Sequence, residues 1–340
     1  MDKQIIKVGV VGISGYSGRE ILKLMLNHPG TEVIYASANK TTGPVAEIWP
    51  ELAGKTNLIC QTYNLDEASK ADLIFLATPH TISMKLAPEL LKRNVKVIDM
   101  SGDFRLSSER EFVKWYKAAS EHSAPDLLDV AVYGLPELYS EQIKDARLVA
   151  NPGCYPTVSI LAVRPLLDHH IKTIYIDAKS GVSGAGIRQT ERLMVEMKDN
   201  FKAYKILAHQ HTPEITEQLA LVAGKPIQVA FVPHLLPIER GIFATIYVSL
   251  ESPLIQADAQ KLFESFYKNS AFVKVLPGDA DLAIKNVVGT NNLQIQLTAA
   301  TDQNLLVITS VIDNLIKGAA GQAVQNFNIM FGLEETTGLK

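Results

Sequence analysis

Directly after its first apolar run the chain turns on three glycines, VGVVGISGYSGREIL, and only a few folds feed a strand into a helix through such a turn. The first 150 residues continue in the same rhythm. Residues 5–11, 32–37, 72–77 and 95–100 are short β-branched runs that read as buried parallel strands. Residues 18–27 and 81–92 carry apolar side chains at helical spacing. This alternation predicts an α/β, Rossmann-like doubly wound sheet. Residues 147–150 add one more strand, which runs straight into NPGCYPT.

Beyond that stretch the pattern changes. One helix is expected up to about residue 168, followed by longer, more alternating strands at 173–180, 228–235, 242–250, 293–298 and 305–310. Few helices separate them (188–198 and 257–267), which predicts an α+β second domain with a largely antiparallel sheet. The last segment, 312–331, reads as a long amphipathic helix whose small residues (Gly318, Ala319, Ala320, Gly321, Ala323) permit close packing. The expected division is 1–150 and 151–312, with a C-terminal helix of about 313–340 packing back on the first domain. A chain of 340 residues is long for one core, which agrees with two domains.

Composition narrows the partners. Lys+Arg 33 against Asp+Glu 36 gives a net charge of −3, and no basic run stands out. Nucleic acid and anionic membranes select a basic excess, so neither is expected as a partner. No apolar run approaches the roughly 18 residues of a membrane helix, and the opening MDKQIIKVGVVG lacks the regions of a signal peptide. Two cysteines make no disulfide framework. A cytoplasmic protein is expected.

The glycine turn places Gly12, Gly15 and Gly18, with Ser14, Tyr16 and Ser17 between them, where a dinucleotide pyrophosphate meets a helix N-terminus. The spacing is G-x-x-G-x-x-G, so the assignment rests on its place in the first βα unit. An NAD site usually carries an acidic residue at the end of the second strand. Here stand Ser37, Asn39 and Lys40, groups suited to a 2′-phosphate, which favours NADP.

Cys154 sits at the end of this nucleotide-binding half. If it opens a helix, its sulfur meets the positive end of the macrodipole, and Pro156 is tolerated in a first turn. Cys60, within NLICQTY, instead fits the common fate of a small buried hydrophobe. A thiolate needs a proton-transfer partner. HQHTPEI at 209–215 supplies His209 and His211, with Thr212 as the expected N-cap, Pro213 at the first helical position and Glu214 placed to orient an imidazole. An H-x-H pair can also bind zinc, but no third ligand stands at a recognisable spacing, so no metal is expected. SGVSGAGIR (180–188) reads as a second anion cradle before a helix, involving Ser180, Gly181, Ser183 and Gly184. Arg105 in SGDFRL and Arg240 in PHLLPIERG are candidates to clamp a carboxylate or phosphate, or simply surface ion pairs.

Taken together, GISGYSG, SGDFRL, YGLPEL, NPGCYPT, SGVSGAG, HQHTPEI, PHLLPIERGI and GAAGQAVQN resemble the N-acetyl-γ-glutamyl-phosphate reductases of arginine biosynthesis (type 1 subfamily), relatives of aspartate-semialdehyde dehydrogenase. The likeness runs along nearly the whole chain. Its one departure in the cysteine motif is Val158, where the family usually has Gly or Ala. The resemblance implies NADPH-dependent reduction of an acyl phosphate to N-acetylglutamate 5-semialdehyde through a thioester on Cys154. It implies His211 as acid/base with His209 and Glu214 in support. It also implies Arg105, Asn151, Ser180, Gly181 and Arg240 around the substrate, and Ser183, Gly184 and Asn291 near the cofactor. A small-molecule acyl-phosphate substrate and a homo-oligomer, dimer or tetramer, are expected. Aspartyl phosphate or a carrier-bound aminoadipyl phosphate is the alternative substrate. A non-catalytic NADP-binding regulator is the alternative class.

Overall fold

The computed structural model describes residues 5–117 and 119–340. The chain separates into two compact units: Met1–Pro152 with Ala319–Leu339, and Gly153–Gly318 with Lys340.

The first unit is built on a six-stranded sheet. Across it run Thr31–Ser37, Ile6–Val11, Leu73–Leu76, Lys96–Asp99, Leu148–Ala150 and Val132–Tyr133, and every neighbouring pair is parallel. The central strands are apolar on both faces, and Leu73, Ile74, Phe75 and Leu76 are all fully buried. The chain goes from Ile6–Val11 to one neighbour and then returns to the other side of the same strand. That reversal makes the carboxyl end of Ile6–Val11 a topological switch point, the place where doubly wound sheets bind ligands.

The second unit carries a seven-stranded sheet ordered Lys202–Ala203, Val229–Leu235, Ile171–Ser180, Ile242–Leu250, Leu305–Ile312, Leu293–Ala300 and Val273–Val275. It is largely antiparallel, as the alternating strands predict. Two pairings are parallel: Val229–Leu235 on Ile171–Ser180, and Val273–Val275 on Leu293–Ala300. Alternate residues Ile242, Ala244, Ile246, Val248 and Leu250 are buried, and the Cys154–Val163 helix packs on their strand and on Leu305–Ile312.

The C-terminal segment departs from expectation. Residues up to Ile312 finish a strand, a π-turn covers Ile316–Ala320, and the α-helix is only Gly321–Met330. The turn starts where it does because the Asp313 carboxylate accepts the Leu315 and Ile316 N–H groups at 2.8 and 3.2 Å. Nor is the helix amphipathic in effect. Its polar residues Gln322, Gln325, Asn326 and Asn328 are buried. Gln322 and Asn326 donate to the Gly134 carbonyl, each at 2.8 Å, and Asn328 Oδ1 accepts from His28 Nε2 at 2.9 Å. Side chains that resemble a wet face in sequence are internal hydrogen-bonding groups here. Among the described residues, no helix is long and apolar enough to cross a membrane.

Candidate active site

Cys154 is the first residue of the Cys154–Val163 helix, after an extended Gly153 that leaves the N-terminus without a side-chain cap. Every other residue of this helix is buried, whereas Cys154 is half-buried. A thiol at the N-terminus of a buried helix feels a dipole that solvent screens weakly, which favours the thiolate. The turn is fixed from outside the helix and from within it. The Gly153 N–H donates to the buried Glu214 carboxylate at 2.9 Å, and the Thr157 hydroxyl donates to the Gly153 carbonyl at 2.9 Å. Glu214 therefore ties the cysteine turn to the histidine helix. Gly318 closes the opposite side. A Cβ there would lie 2.8 Å from Cys154 Cβ, so only glycine lets the π-turn backbone approach the cysteine.

The histidine helix runs His211–Ala223, two residues earlier than a Thr212 cap would set it. The reason is a substitute cap. His209 Nδ1 accepts the His211 N–H at 3.1 Å, satisfying a first-turn donor, so Thr212 is already helical. The two imidazoles differ. His209 is 5% exposed, and burial, aided by the Lys205 charge, pushes its pKa down to about 3. With Nδ1 accepting, His209 is a neutral ring with its proton on Nε2. His211 is half-buried, 4.7 Å from His209 by ring centroids. Tyr155, next to the cysteine, stands edge-on to both, at 5.6 Å from His209 and 5.9 Å from His211. Its hydroxyl bonds to the Tyr204 hydroxyl at 3.2 Å. Burial pushes Tyr204 up to about 12 and Tyr155 well above its usual value, and a nearby Cys154 charge acts in the same direction on both. Both phenols remain protonated beside the thiol.

In the first unit, the glycine loop leads into the Tyr16–Leu26 helix with Gly15 as N-cap. Gly12 has φ +96°, and a Cβ on it would lie 2.2 Å from the Ala77 carbonyl oxygen; one on Gly18 would lie 2.3 Å from that of Gly12. Both glycines are required by the protein's own packing. Gly15 is not: its Cβ would meet only the Gly12 oxygen, at 3.8 Å. The helix start has no side-chain cap and no acidic residue in its first turn. Open space above uncapped N–H groups, with Ser14, Tyr16 and Ser17 half-buried around them, fits a dinucleotide pyrophosphate. At the end of the second strand Asn39 and Lys40 are exposed, but Ser37 is fully buried and its carbonyl accepts the Gly12 and Ile13 N–H groups. Ser37 thus shapes the loop from beneath.

The other sequence candidates are engaged with the protein itself. Arg105 Nε donates to the Asn151 carbonyl and Nη2 to the Met100 carbonyl, both at 2.8 Å. Asn151 is buried, donates to the Ala319 carbonyl at 3.1 Å and accepts from Asn326 at 3.0 Å. Arg240 pairs with the buried Asp313 carboxylate at 3.1 Å. In the 180–186 loop the Gly181, Val182 and Ser183 N–H groups donate to the Gly241, Ile238 and Glu239 carbonyls. Gly184 N–H donates to Gly181, the Ser180 hydroxyl to the Gly181 carbonyl, and Ser183 accepts from Asn314. Those N–H groups are spent within the protein, and the Ile187–Glu196 helix that follows starts on Gly186 without a side-chain cap. Asn291 is buried, and its N–H donates to the Lys340 carbonyl at 2.6 Å. Among the described residues, no group of three or more His, Cys, Asp or Glu is arranged to hold a metal ion.

Residues 7–146 match the semialdehyde dehydrogenase NAD binding domain, and 154–314 the semialdehyde dehydrogenase dimerisation domain. N-acetyl-gamma-glutamyl-phosphate reductase from Thiobacillus denitrificans is 46% identical over 98% of both chains. The proteins of the same name from Acinetobacter baumannii and Desulforamulus reducens are each 45% identical, over 99% and 98% of this chain and 98% of theirs. The chain belongs to the N-acetyl-γ-glutamyl-phosphate reductase family. Its fold is that of aspartate semialdehyde dehydrogenase II from Vibrio cholerae (TM-score 0.74, 16% identity, 97% of this chain and 99% of that one). A Candida albicans aspartate semialdehyde dehydrogenase solved with NADP gives a TM-score of 0.71 at 12% identity, covering 96% of this chain and 99% of that one. The chain is thus a reductase-family oxidoreductase with a nicotinamide-nucleotide domain.

Within the reductase family frame, the sequence reading passed over three contributors. Tyr155 and Tyr204 enclose the histidines, and Gly318 meets the cysteine. The Tyr155 signal was present, as the residue after the cysteine. Tyr204 lies in a sparse loop, and nothing in sequence links it to Cys154.

Proposed function

We propose that the chain reduces N-acetyl-γ-glutamyl phosphate to N-acetylglutamate 5-semialdehyde, with NADPH as reductant and a thioester on Cys154. The observation that carries this reading is the paired arrangement around the cysteine. Its thiol stands at the start of a buried helix, one carboxylate pins the turn before it, and its neighbour Tyr155 touches two imidazoles, one buried and one half-buried.

The Cys154 thiolate attacks the acyl carbon, the carbon–oxygen bond to phosphate breaks, and phosphate leaves. A thioester accepts hydride more readily than an oxygen ester, which is the reason for cysteine rather than serine. A bound reduced nicotinamide supplies that hydride to the thioester carbon. His211 protonates the resulting oxyanion, giving a thiohemiacetal, and then takes the hydroxyl proton back as the carbon–sulfur bond breaks. Aldehyde and thiolate result. His209 is too weak a base for this role, and its neutral ring instead holds the His211 backbone; Glu214 holds Gly153.

Gly12, Gly15 and Gly18 with Ser14, Tyr16 and Ser17 hold the pyrophosphate. Exposed Asn39 and Lys40, with no acidic residue in that turn, favour NADP over NAD. The homo-oligomer forms through the second sheet, where Tyr175 (52% exposed) and Tyr247 (38%) stand opposite each other on adjacent strands. Aromatic residues at that exposure suit an interface.

The test is NADP reduction in the presence of phosphate, with N-acetylglutamate semialdehyde and aspartate semialdehyde compared. Turnover with the first is expected; turnover only with the second removes the substrate assignment, and none with either removes the enzyme reading. Cys154→Ser is expected to lower kcat on the order of 10³–10⁶-fold. Alkylation of Cys154 against pH is expected to report a thiol pKa below the usual ~8.5, and an unshifted value contradicts thiolate activation.

A further inference from the structure

At the carboxyl end of Leu73–Leu76, the strand next to the glycine loop, residues 77–82 form a turn before the Ser83–Lys92 helix. This turn is the wall of the glycine loop. The Ala77 N–H donates to the Val11 carbonyl at 2.8 Å, and a Cβ on Gly12 would lie 2.2 Å from the Ala77 oxygen. The turn is strained. Thr81, a β-branched residue, has φ +75°, a conformation such residues rarely adopt. The helix that follows also begins on Ile82, which has no side chain able to cap it.

Both needs are met by one group. Asp103, fully buried in SGDFRL after the next strand, accepts the Thr81 N–H at 2.8 Å on one oxygen and the Met84 N–H at 3.0 Å on the other. It is a cap supplied from 20 residues downstream in place of the missing local one (103 − 83 = 20). Asp103 is itself held. Its N–H donates to the Ser101 hydroxyl at 3.1 Å, which donates to Asp99 at 2.9 Å, and His122 Nε2 lies 2.8 Å from its carbonyl. The same segment reaches the turn a second time, because the Gly102 N–H donates to His80 Nδ1 at 2.9 Å. A strained turn at a switch point, over-determined by a buried carboxylate, is how a site is held in shape before its ligand arrives.

We propose that Asp103 is a positioning residue for the nicotinamide dinucleotide, acting through the 78–81 turn that it holds beside the glycine loop. The assignment rests on the cofactor reading above. Asp103 does not touch the ligand; it fixes the turn that does.

The experiment is NADPH titration by fluorescence, alongside steady-state kinetics, on the full chain. Asp103→Asn keeps the shape but replaces one acceptor by a donor facing an N–H. It is expected to weaken NADPH binding about tenfold and to raise the KM for NADPH equally, with kcat unchanged. Adding Thr81→Gly is expected to restore most of the affinity, because glycine adopts the positive φ without help from the carboxylate. If Asp103→Asn does not fold, Ser101→Ala loosens Asp103 more gently and is expected to raise the same KM about two- to threefold. The assignment is overturned by wild-type affinity in Asp103→Asn, by a loss that Thr81→Gly leaves untouched, or by an unchanged KM in the Ser101 variant. Wild-type protein that binds no NADPH overturns the cofactor reading instead.

Discussion

Two loops of small residues lead into helices, GISGYSG at 12–18 and SGVSGAG at 180–186, and their N–H groups end in different places. In the first, Gly12 and Ile13 are tied to the Ser37 carbonyl beneath the loop, and the helix N-terminus above is left without a cap. In the second, three successive N–H groups donate to carbonyls of residues 238–241, so the loop itself is stitched to that segment, and only the helix start after it is likewise without a side-chain cap. An anion site needs unspent donors as well as flexible backbone. Composition reports only the flexibility; where the donors point depends on what lies under the loop.

The largest effect that tests this contrast comes from alanine at the glycines that packing requires. Gly12→Ala combines a positive φ with a Cβ 2.2 Å from a backbone oxygen. It is expected to destabilise on the order of 3–5 kcal/mol and to remove NADPH binding with it. Gly181→Ala brings a Cβ to 2.5 Å from the Glu239 oxygen at an ordinary φ of −60°. About 1–3 kcal/mol is expected there, with NADPH affinity retained. Urea denaturation and NADPH titration of both variants separate the two loops. Loss of NADPH binding in a folded Gly181→Ala protein makes them equivalent after all.

The same distinction decides how far the sequence could be read. Strand 242–250 and the helix opening at Cys154 were legible, because alternation and a proline–glycine approach are local signals. The start of the histidine helix was not, since its cap is an imidazole two residues back rather than the threonine that caps most often. Arg105 and Arg240 read as anion clamps or surface ion pairs, and no local signal announces that Arg105 donates to the Asn151 carbonyl or that Arg240 pairs with Asp313. Glutamines and asparagines of the last helix imitate a solvated face because a buried amide and an exposed one have the same one-letter code. In each case the residue type was read correctly and the partner it takes in the fold was not available to the reading.

Two buried titratable groups, one in each unit, act on stability with opposite signs. In the second unit burial, with Lys205, holds His209 at about 3, below its usual 6.5. The unfolded chain then binds more protons between those values, so stability falls as pH drops from 6.5 toward 3. In the first unit Asp99 is raised to about 6 by burial and then by the Asp103 charge, so its contribution is present at low pH and lost as pH rises through 6. Each slope is at most about 1.4 kcal/mol per pH unit. His209→Asn is expected to flatten the acid limb of stability measured by urea denaturation between pH 6.5 and 4. An unchanged acid limb places the acid sensitivity elsewhere, in His28 for example, whose pKa burial also lowers.

The smallest effect bears most directly on the first loop. Gly15 has φ −97°, which any residue adopts, and a Cβ there meets only one protein atom, at 3.8 Å. Nothing in the folded protein demands glycine, so Gly15→Ala is expected to leave stability within about 0.5 kcal/mol or raise it slightly. If a pyrophosphate lies over the uncapped helix start that follows, the added methyl occupies its approach, and NADPH affinity is expected to fall about tenfold. The two measurements must diverge for the loop to be a ligand site. Unchanged affinity with unchanged stability leaves Gly15 as a turn residue and moves the phosphate away from the N-cap. A parallel fall in both shows that the glycine serves the fold, as Gly12 and Gly18 do.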